Sequence, residues 1–392
     1  SSYTLYQFIS RLAGPPSAPQ PPDARPRVLV CYYDTPSDAS SLQPAALPPR
    51  LCTHINVAFA RVRNKTLHLD TSQLIALRQV VSLKKADPDL KVLVSVGGAG
   101  ADGFPEMVAD HASRKVFIRS IKSLLRNYTL DGIDLDWEFP TGRRQRQHFS
   151  QLLREIRAEY IREKRDYLLT VAVVADKMMA EMTYDFDQLN LYTDFVNVMT
   201  YDYHFYTRMT PFTGFNSPLF AEPGQRLFLA TLNVNYTMHM YLDKGLDRDK
   251  LVVGIPTYGH SFRLVNPRNA AAGAPAAGPG ALGAAGFVSY PDACRFARRP
   301  GAAHARDAAA AVPYAHRGHE WLSFDDEESV ARKAGLAAQL GLRGAMVYSL
   351  NADDFAGACA PRRFPLVSAV RHSWKNTVTI PFNLKISLLL IK

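Results

Sequence analysis

The sequence lacks the marks of several common functional classes. No Gly-x-Gly-x-x-Gly follows an early strand-like run, which removes the main argument for a dinucleotide fold. No basic motif interleaved with aromatics occurs and the Arg pairs are scattered, so the net charge of +10 reads as a solvated basic surface and not as a nucleic-acid footprint. Long apolar runs are also missing: even the apolar end, 376–392, falls far short of a membrane span. Cysteine is scarce. Cys31, Cys52, Cys294 and Cys359 form no C-x-x-C, and they allow three disulfide pairings that spacing leaves open.

What is present describes an ordinary globular chain of 392 residues, 47% hydrophobic and 21% charged. N-x-S/T acceptors at Asn64, Asn127 and Asn235 lie in or beside polar stretches. With the even cysteine count they favour an extracellular or extracytoplasmic, glycosylated protein. The chain opens Ser-Ser-Tyr, and the expectation leaves room for a preceding signal peptide or anchor. Residues 1–26 end in a Pro-rich linker, and folding is expected over 27–375, with 376–392 a tail of unassigned role.

Within that region, β-branched runs at 28–33, 53–60, 91–97, 131–138, 168–174, 194–202, 251–258 and 344–350 alternate with amphipathic stretches at 72–86, 113–127, 147–163, 226–244, 326–341 and 364–374. Leu74, Ile75, Leu77 and Val81 mark the apolar spacing of the first such stretch, and Val116, Ile118 and Ile121 that of the second. The alternation predicts an α/β fold, a closed (β/α)8 TIM barrel. The connection between strand seven and helix seven is too long for a barrel loop, and its aromatic and Cys-bearing segment predicts a small inserted α+β subdomain over 261–318.

One stretch joins pattern to chemistry: Asp131-Gly-Ile-Asp134-Leu-Asp136-Trp-Glu138-Phe-Pro140. Strand alternation puts Asp134, Asp136 and Glu138 on one face and Ile133, Leu135 and Trp137 on the other. A row of carboxylates in an apolar strand points to acid-base chemistry, against the plainer readings of a solvated edge strand or a cation site. In a barrel the site lies at the C-terminal strand ends, so Glu138 is expected last in its strand at the mouth, Asp136 one layer below and Asp134 deeper. By the same parity Met199 and Tyr201 face inward on strand six, Met346 and Tyr348 on strand eight, while Tyr258 closes strand seven and Tyr32 ends strand one. Aromatic hydroxyls around a carboxylate file suit a sugar, whose ring faces stack on aromatics. Met346 is equally well explained as a gap-filler of the core.

The Asp131–Glu138 segment resembles the D-G-x-D-x-D-x-E signature of family 18 glycoside hydrolases, the chitinases and chitinase-like proteins. Ser95-Val-Gly97-Gly98, Met199-Thr-Tyr201-Asp202 and Gly254-Ile-Pro-Thr-Tyr258-Gly259 resemble the family's other strand motifs, in order. The resemblance runs from about Arg27 to Trp374. It implies hydrolysis of β-1,4-linked N-acetylglucosamine polymers by a retaining mechanism in which the substrate's acetamido oxygen forms an oxazolinium ion. Glu138 is then the general acid/base, Asp136 the partner of the acetamide, Asp134 a proton-sharing neighbour and Tyr201 a donor to the acetamido group. Tyr32, Phe59, Gly98, Met199, Asp202, Tyr258, His260 and Tyr348 are implied to bind the glycan, and Asp131 to fix the strand's start. The implied disulfides are Cys31–Cys52 and Cys294–Cys359. The implied protein is a secreted monomer whose partner is chitin or a chitooligosaccharide, with no metal or cofactor.

Departures from the family pattern fall in the cleft. Ala99 follows Gly98 where many relatives have Trp, Tyr348 stands where the floor is usually Trp, and His260 where Arg is frequent. The alternative is therefore a chitinase-like lectin that binds chitooligosaccharides without cutting them, but the complete carboxylate row and Tyr201 favour the hydrolase.

Overall fold

In the computed structural model the described residues are 26–36, 38 and 41–376. The expected linker 1–26 and tail 376–392 lie outside them, except for Pro26 and Asn376.

Eight parallel strands close a barrel: β1 (Val28–Asp34), β2 (His54–Arg63), with the short β3 (Thr66–His68) folded back on it, β4 (Lys91–Gly97), β5 (Gly132–Asp136), β6 (Leu168–Val174), β7 (Phe195–Met199), β8 (Leu251–Pro256) and, after an insertion, the last. The insertion holds β9 (Tyr258–Leu264), β10 (Ala276–Pro279), β11 (Phe287–Ser289), β12 (Ala303–Arg306), β13 (Pro313–Arg317) and β14 (Glu320–Ser323), all antiparallel, with one helix, Tyr290–Ala297. The last barrel strand is β15 (Gly344–Tyr348), and β1 pairs with both β15 and β2, which completes the ring.

The alternation read from the sequence sorts side chains into two cores. Ile133, Leu135 and Trp137 pack outward with the helices, whereas Tyr32, Phe195, Tyr201, Tyr258 and Met346 form a separate cluster inside the barrel. Helices begin where short polar side chains accept an orphan amide: Asp70 makes a reciprocal capping box with Gln73, and Asp110, Asp176, Asn233 and Asp326 also cap helices.

Three expectations need correction: the bounds of the insertion, the apolar phase of two helices and the third glycosylation acceptor. The inserted sheet starts at Tyr258, directly after β8, and ends at Ser323, so the bounds 261–318 cut off the start of β9 and all of β14. The apolar spacing ran slightly out of phase in two helices. Ala76, Leu77 and Val80 carry the buried face of Thr71–Ser82 while Ile75 is 52% exposed, and Val116 is 38% exposed in His111–Tyr128. Between β1 and β2 no α-helix forms among the described residues; a single 3-10 turn, Pro44–Ala46, stands there. Cys31 is joined to Cys52 and Cys294 to Cys359. Asn64 and Asn127 are exposed, but Asn235 is half-buried in the first turn of the helix Val234–Asp243, and its sequon partner Thr237 is fully buried against Ala175 and Tyr203. That third acceptor is thus not the surface site expected.

Candidate active site

The carboxylates of β5 are graded by depth: Asp134 is 0% exposed and Asp136 3%. The strand ends at Asp136, two residues earlier than expected, yet Glu138, at a bend just beyond it, still lines the cleft. Trp137, between the two carboxylates in sequence, stacks on Phe104 with ring centroids 5.2 Å apart. Asp131 sits at the other end of the strand. Its carboxylate accepts the Val92 amide at 2.7 Å and pairs with Lys84 at 2.5 Å, which pins the start of β5 to its neighbour far from the mouth.

Asp134 is saturated by donors. Tyr32 and Ser95 donate to Oδ2 at 2.6 and 2.7 Å, and Thr170 and Asn197 to Oδ1 at 2.6 and 3.2 Å. Burial pushes its pKa up, while these four hydrogen bonds stabilise the ionised form. Both Asp134 oxygens are taken by these donors, and the Asp134 charge in turn helps raise the pKa of Asp136. Asp136, by contrast, has a buried Oδ1 with no partner. Burial pushes its carboxyl well above the usual range, and the nearby charges of Glu138 and Asp134 add to that. Glu138 is pushed up to about 7, first by burial and then by the Asp202 carboxylate. A carboxyl titrating there is protonated often enough near neutrality to act as an acid and still ionises to act as a base.

The backbone beside β5 is tight. A side chain on Gly97 would have its Cβ 1.9 Å from the Asp136 carbonyl oxygen, and Gly98, at φ +78°, lies under the Phe59 ring. The Gly98 amide donates to that same Asp136 oxygen at 2.9 Å. Gly98 therefore holds the strand and does not offer its amide to a ligand.

A cleft of about 650 Å³ opens above the carboxylates. Phe59, Met199, Asp202, Tyr258 and Tyr348 line it together with Asp136, Glu138 and Tyr201, and Ala99 forms part of one wall. Tyr201 stacks on Tyr348, centroids 6.0 Å apart, and its hydroxyl contacts the Met346 sulfur at 3.8 Å. Tyr258 donates to Asp202 Oδ1 at 2.6 Å, and His260 Nε2 lies 2.7 Å from the same oxygen. One expected glycan contact is thus corrected: Tyr32 is 1% exposed with its hydroxyl spent on Asp134. His260 bonds Asp202 and packs its ring against Phe205, centroids 5.6 Å apart, and both of these partners line the cleft.

Strand alternation leaves other site residues unmarked. Thr170 is the one polar side chain in the apolar strand β6, which is a legible signal, but its partner Asp134 is 36 residues away and no local pattern pairs the two. Asp176, Met179, Phe205, Phe228 and Leu229 also line the cleft, from the segments after β6 and β7, Met179 on the short helix Lys177–Thr183 and Leu229 on the 3-10 turn Leu229–Thr231. Among the described residues no group of His, Cys, Asp and Glu could hold a metal ion.

Known proteins share this arrangement. The sequence pattern of Glycosyl hydrolases family 18 matches residues 28–353. Human chitinase-3-like protein 2 is 36% identical over 362 residues, 88% of this chain and 92% of that protein. Mouse chitotriosidase-1 is 37% identical over 364 residues, covering 88% and 77%. Among solved structures, human YKL-39 superimposes with a TM-score of 0.85 at 35% identity, covering 90% of this chain and 100% of that one, and is described as a pseudo-chitinase with retained chitooligosaccharide binding properties. The Group IV chitinase of Ostrinia furnacalis gives 0.84 at 32% identity, with coverage of 90% and 100%. With a match over most of its length and the graded carboxylates at the mouth of a closed barrel, the chain belongs to glycoside hydrolase family 18.

Proposed function

We propose that the protein hydrolyses β-1,4-linked N-acetylglucosamine chains by substrate assistance, outside the cytoplasm and in the endo mode. The observation that carries the reading is Glu138, half-buried at the cleft with its pKa pushed up to about 7, above an unpartnered Asp136 oxygen. Tyr348 is the floor for the reacting sugar, and Tyr201 and Asp136 flank its acetamido group. Asp136 accepts the acetamide N–H, which aims the acetamido oxygen at C1. Glu138 gives its proton to the glycosidic oxygen as the C1–O bond breaks, and the acetamido oxygen closes the oxazolinium ring. Ionised Glu138 then takes a proton from water as that water opens the ring with retention. Asp134 stays ionised beneath and stabilises the positive charge that develops.

A second reading has its own support: the similar YKL-39 is described as a pseudo-chitinase that binds chitooligosaccharides, and Ala99 and Tyr348 give this cleft less aromatic surface than the family pattern. One comparison decides. Wild type is expected to release fluorophore from a chitobiose or chitotriose conjugate, and Glu138→Gln to lose release while retaining binding. Equal release by both proteins removes Glu138 from the acid role. Binding of chitotetraose with no release at any pH establishes the lectin. Product lengths from a long chitooligosaccharide test the endo mode.

A further inference from the structure

Tyr348 is the last residue of β15, and the sheet stops supporting it there. Opposite it stands Pro256, the end of β8, which has no amide hydrogen to give the ladder, and β1 pairs with β15 only as far as Val347. Bonds from Thr257 and Asp34 take over on the two flanks. On the β8 side the Thr257 amide donates to the Tyr348 carbonyl at 3.0 Å, while the Thr257 hydroxyl donates to the Ser349 carbonyl at 2.6 Å and accepts the Ser349 amide at 3.0 Å. On the β1 side the Ser349 hydroxyl donates to Asp34 Oδ2 at 2.9 Å, and the Asn351 side chain exchanges two bonds of 2.9 Å with the Asp34 backbone. Thr257 and Ser349 are each 1% exposed, so water does not compete for these bonds.

The ring above this clamp is hemmed in. Its neighbours are Tyr32, Phe59, Tyr201 and Tyr258, with centroids 5.6, 6.4, 6.0 and 6.1 Å away. A shift of the backbone at Tyr348 is therefore passed to the ring, which has no free space to swing back into place. A phenol also offers a sugar less stacking surface than the indole of the family pattern, so its height and tilt decide how much of the sugar face it meets. We propose that Thr257 and Asp34 are positioning residues of the reaction, which hold the Tyr348 ring at the height and tilt that the reacting sugar needs. Neither lines the cleft, and both act through Tyr348. The inference rests on the reading that Tyr348 is the floor of the site.

Binding measured with and without the ring separates positioning from general stability. In calorimetry with chitotetraose, Thr257→Val and Asp34→Ala are each expected to bind about three- to tenfold more weakly than wild type, the worth of one aromatic contact. Thr257→Ser and Asp34→Asn, which keep an oxygen at the bonding position, are expected to stay within about twofold of wild type. Thr193→Val removes another buried hydroxyl bond, 2.7 Å to the Leu189 carbonyl before the start of β7, and is expected to lower the urea midpoint with affinity unchanged. In a Tyr348→Ala background there is no ring to misplace, so adding Thr257→Val or Asp34→Ala is expected to change affinity by less than about twofold. The same loss with and without the ring overturns the inference, as does wild-type affinity in both single variants. If Thr257→Val does not fold, Asp34→Ala carries the same comparison. Wild-type affinity in Tyr348→Ala removes Tyr348 from the floor and overturns the inference while leaving hydrolysis standing. The expected ratios with no cleavage of chitotetraose by the wild type uphold the inference and overturn hydrolysis. No binding of chitotetraose by the wild type overturns both.

Discussion

Glu138→Gln tests the electrostatics of the site through stability as well as through activity. Burial and the Asp202 carboxylate push the Glu138 carboxyl up to about 7 in the folded protein, against 4.5 when unperturbed. A raised carboxyl pKa means that the folded state holds a proton which the unfolded chain has already released. The wild type therefore loses stability as pH rises from about 4.5 to about 7, and the loss is complete above that. At 1.36 kcal/mol per unit the ceiling is about 3 kcal/mol, and since Glu138 is partly open to solvent, about 1–3 kcal/mol is the working range. Asp136 lies in the same field, so the proton belongs to the pair, and removing Glu138 relaxes both groups. Glutamine keeps the shape without the charge. The assay is urea unfolding of both proteins at pH 4, 5, 6, 7 and 8. The stability of Glu138→Gln relative to wild type is expected to be near zero at pH 4, to grow through pH 5–7 and to level off. A difference that is flat with pH, or that shrinks as pH rises, would falsify the account of a desolvated acid.

Three further outcomes follow from the same contacts. Asp202 raises the Glu138 pKa, so Asp202→Asn is expected to move the alkaline limb of kcat/KM on a fluorogenic chitobioside to lower pH; a shift to higher pH contradicts the assignment. Tyr32→Phe removes one of four donors from a fully buried carboxylate and is expected to cost about 1–3 kcal/mol in urea unfolding, with no loss if Asp134 is otherwise satisfied. Lys333 and Asp325 form a pair at 2.6 Å with neither side chain more than 1% exposed. Lys333→Met alone is expected to cost about 3–5 kcal/mol, and the double variant Lys333→Met/Asp325→Leu to recover most of it; equal losses in single and double variants would show that the pair's charge is not the cause.

Strand alternation with a period of two fixed the local facts here. It put Asp134 and Asp136 on the face opposite Ile133 and Leu135, and Tyr201 on the inward side of its strand, because a pleated strand leaves side chains no other choice of face. The eight-fold repeat of strand and helix then implied a closed barrel, and closure placed Glu138 at the mouth. What alternation does not encode is the partner across the barrel. Tyr32 and Thr170 meet on Asp134 from 102 and 36 residues away, and His260 turns onto Asp202 from 58. None of these is visible to a local pattern, so Tyr32 reads as a glycan contact until the folded chain gives its hydroxyl other work. The same holds for the far side of the cleft. Met179 comes from the helix Lys177–Thr183 and Phe205 and Phe228 from the long connection after β7, and only their convergence in the cleft beside Glu138 makes them one surface. Sequence alone determined the chemistry of β5 and its depth order, since both follow from covalent geometry. Tertiary structure decided which oxygens are already satisfied, which carboxyl is free to carry the proton and what lies beyond it, because those depend on distances between segments remote in the chain.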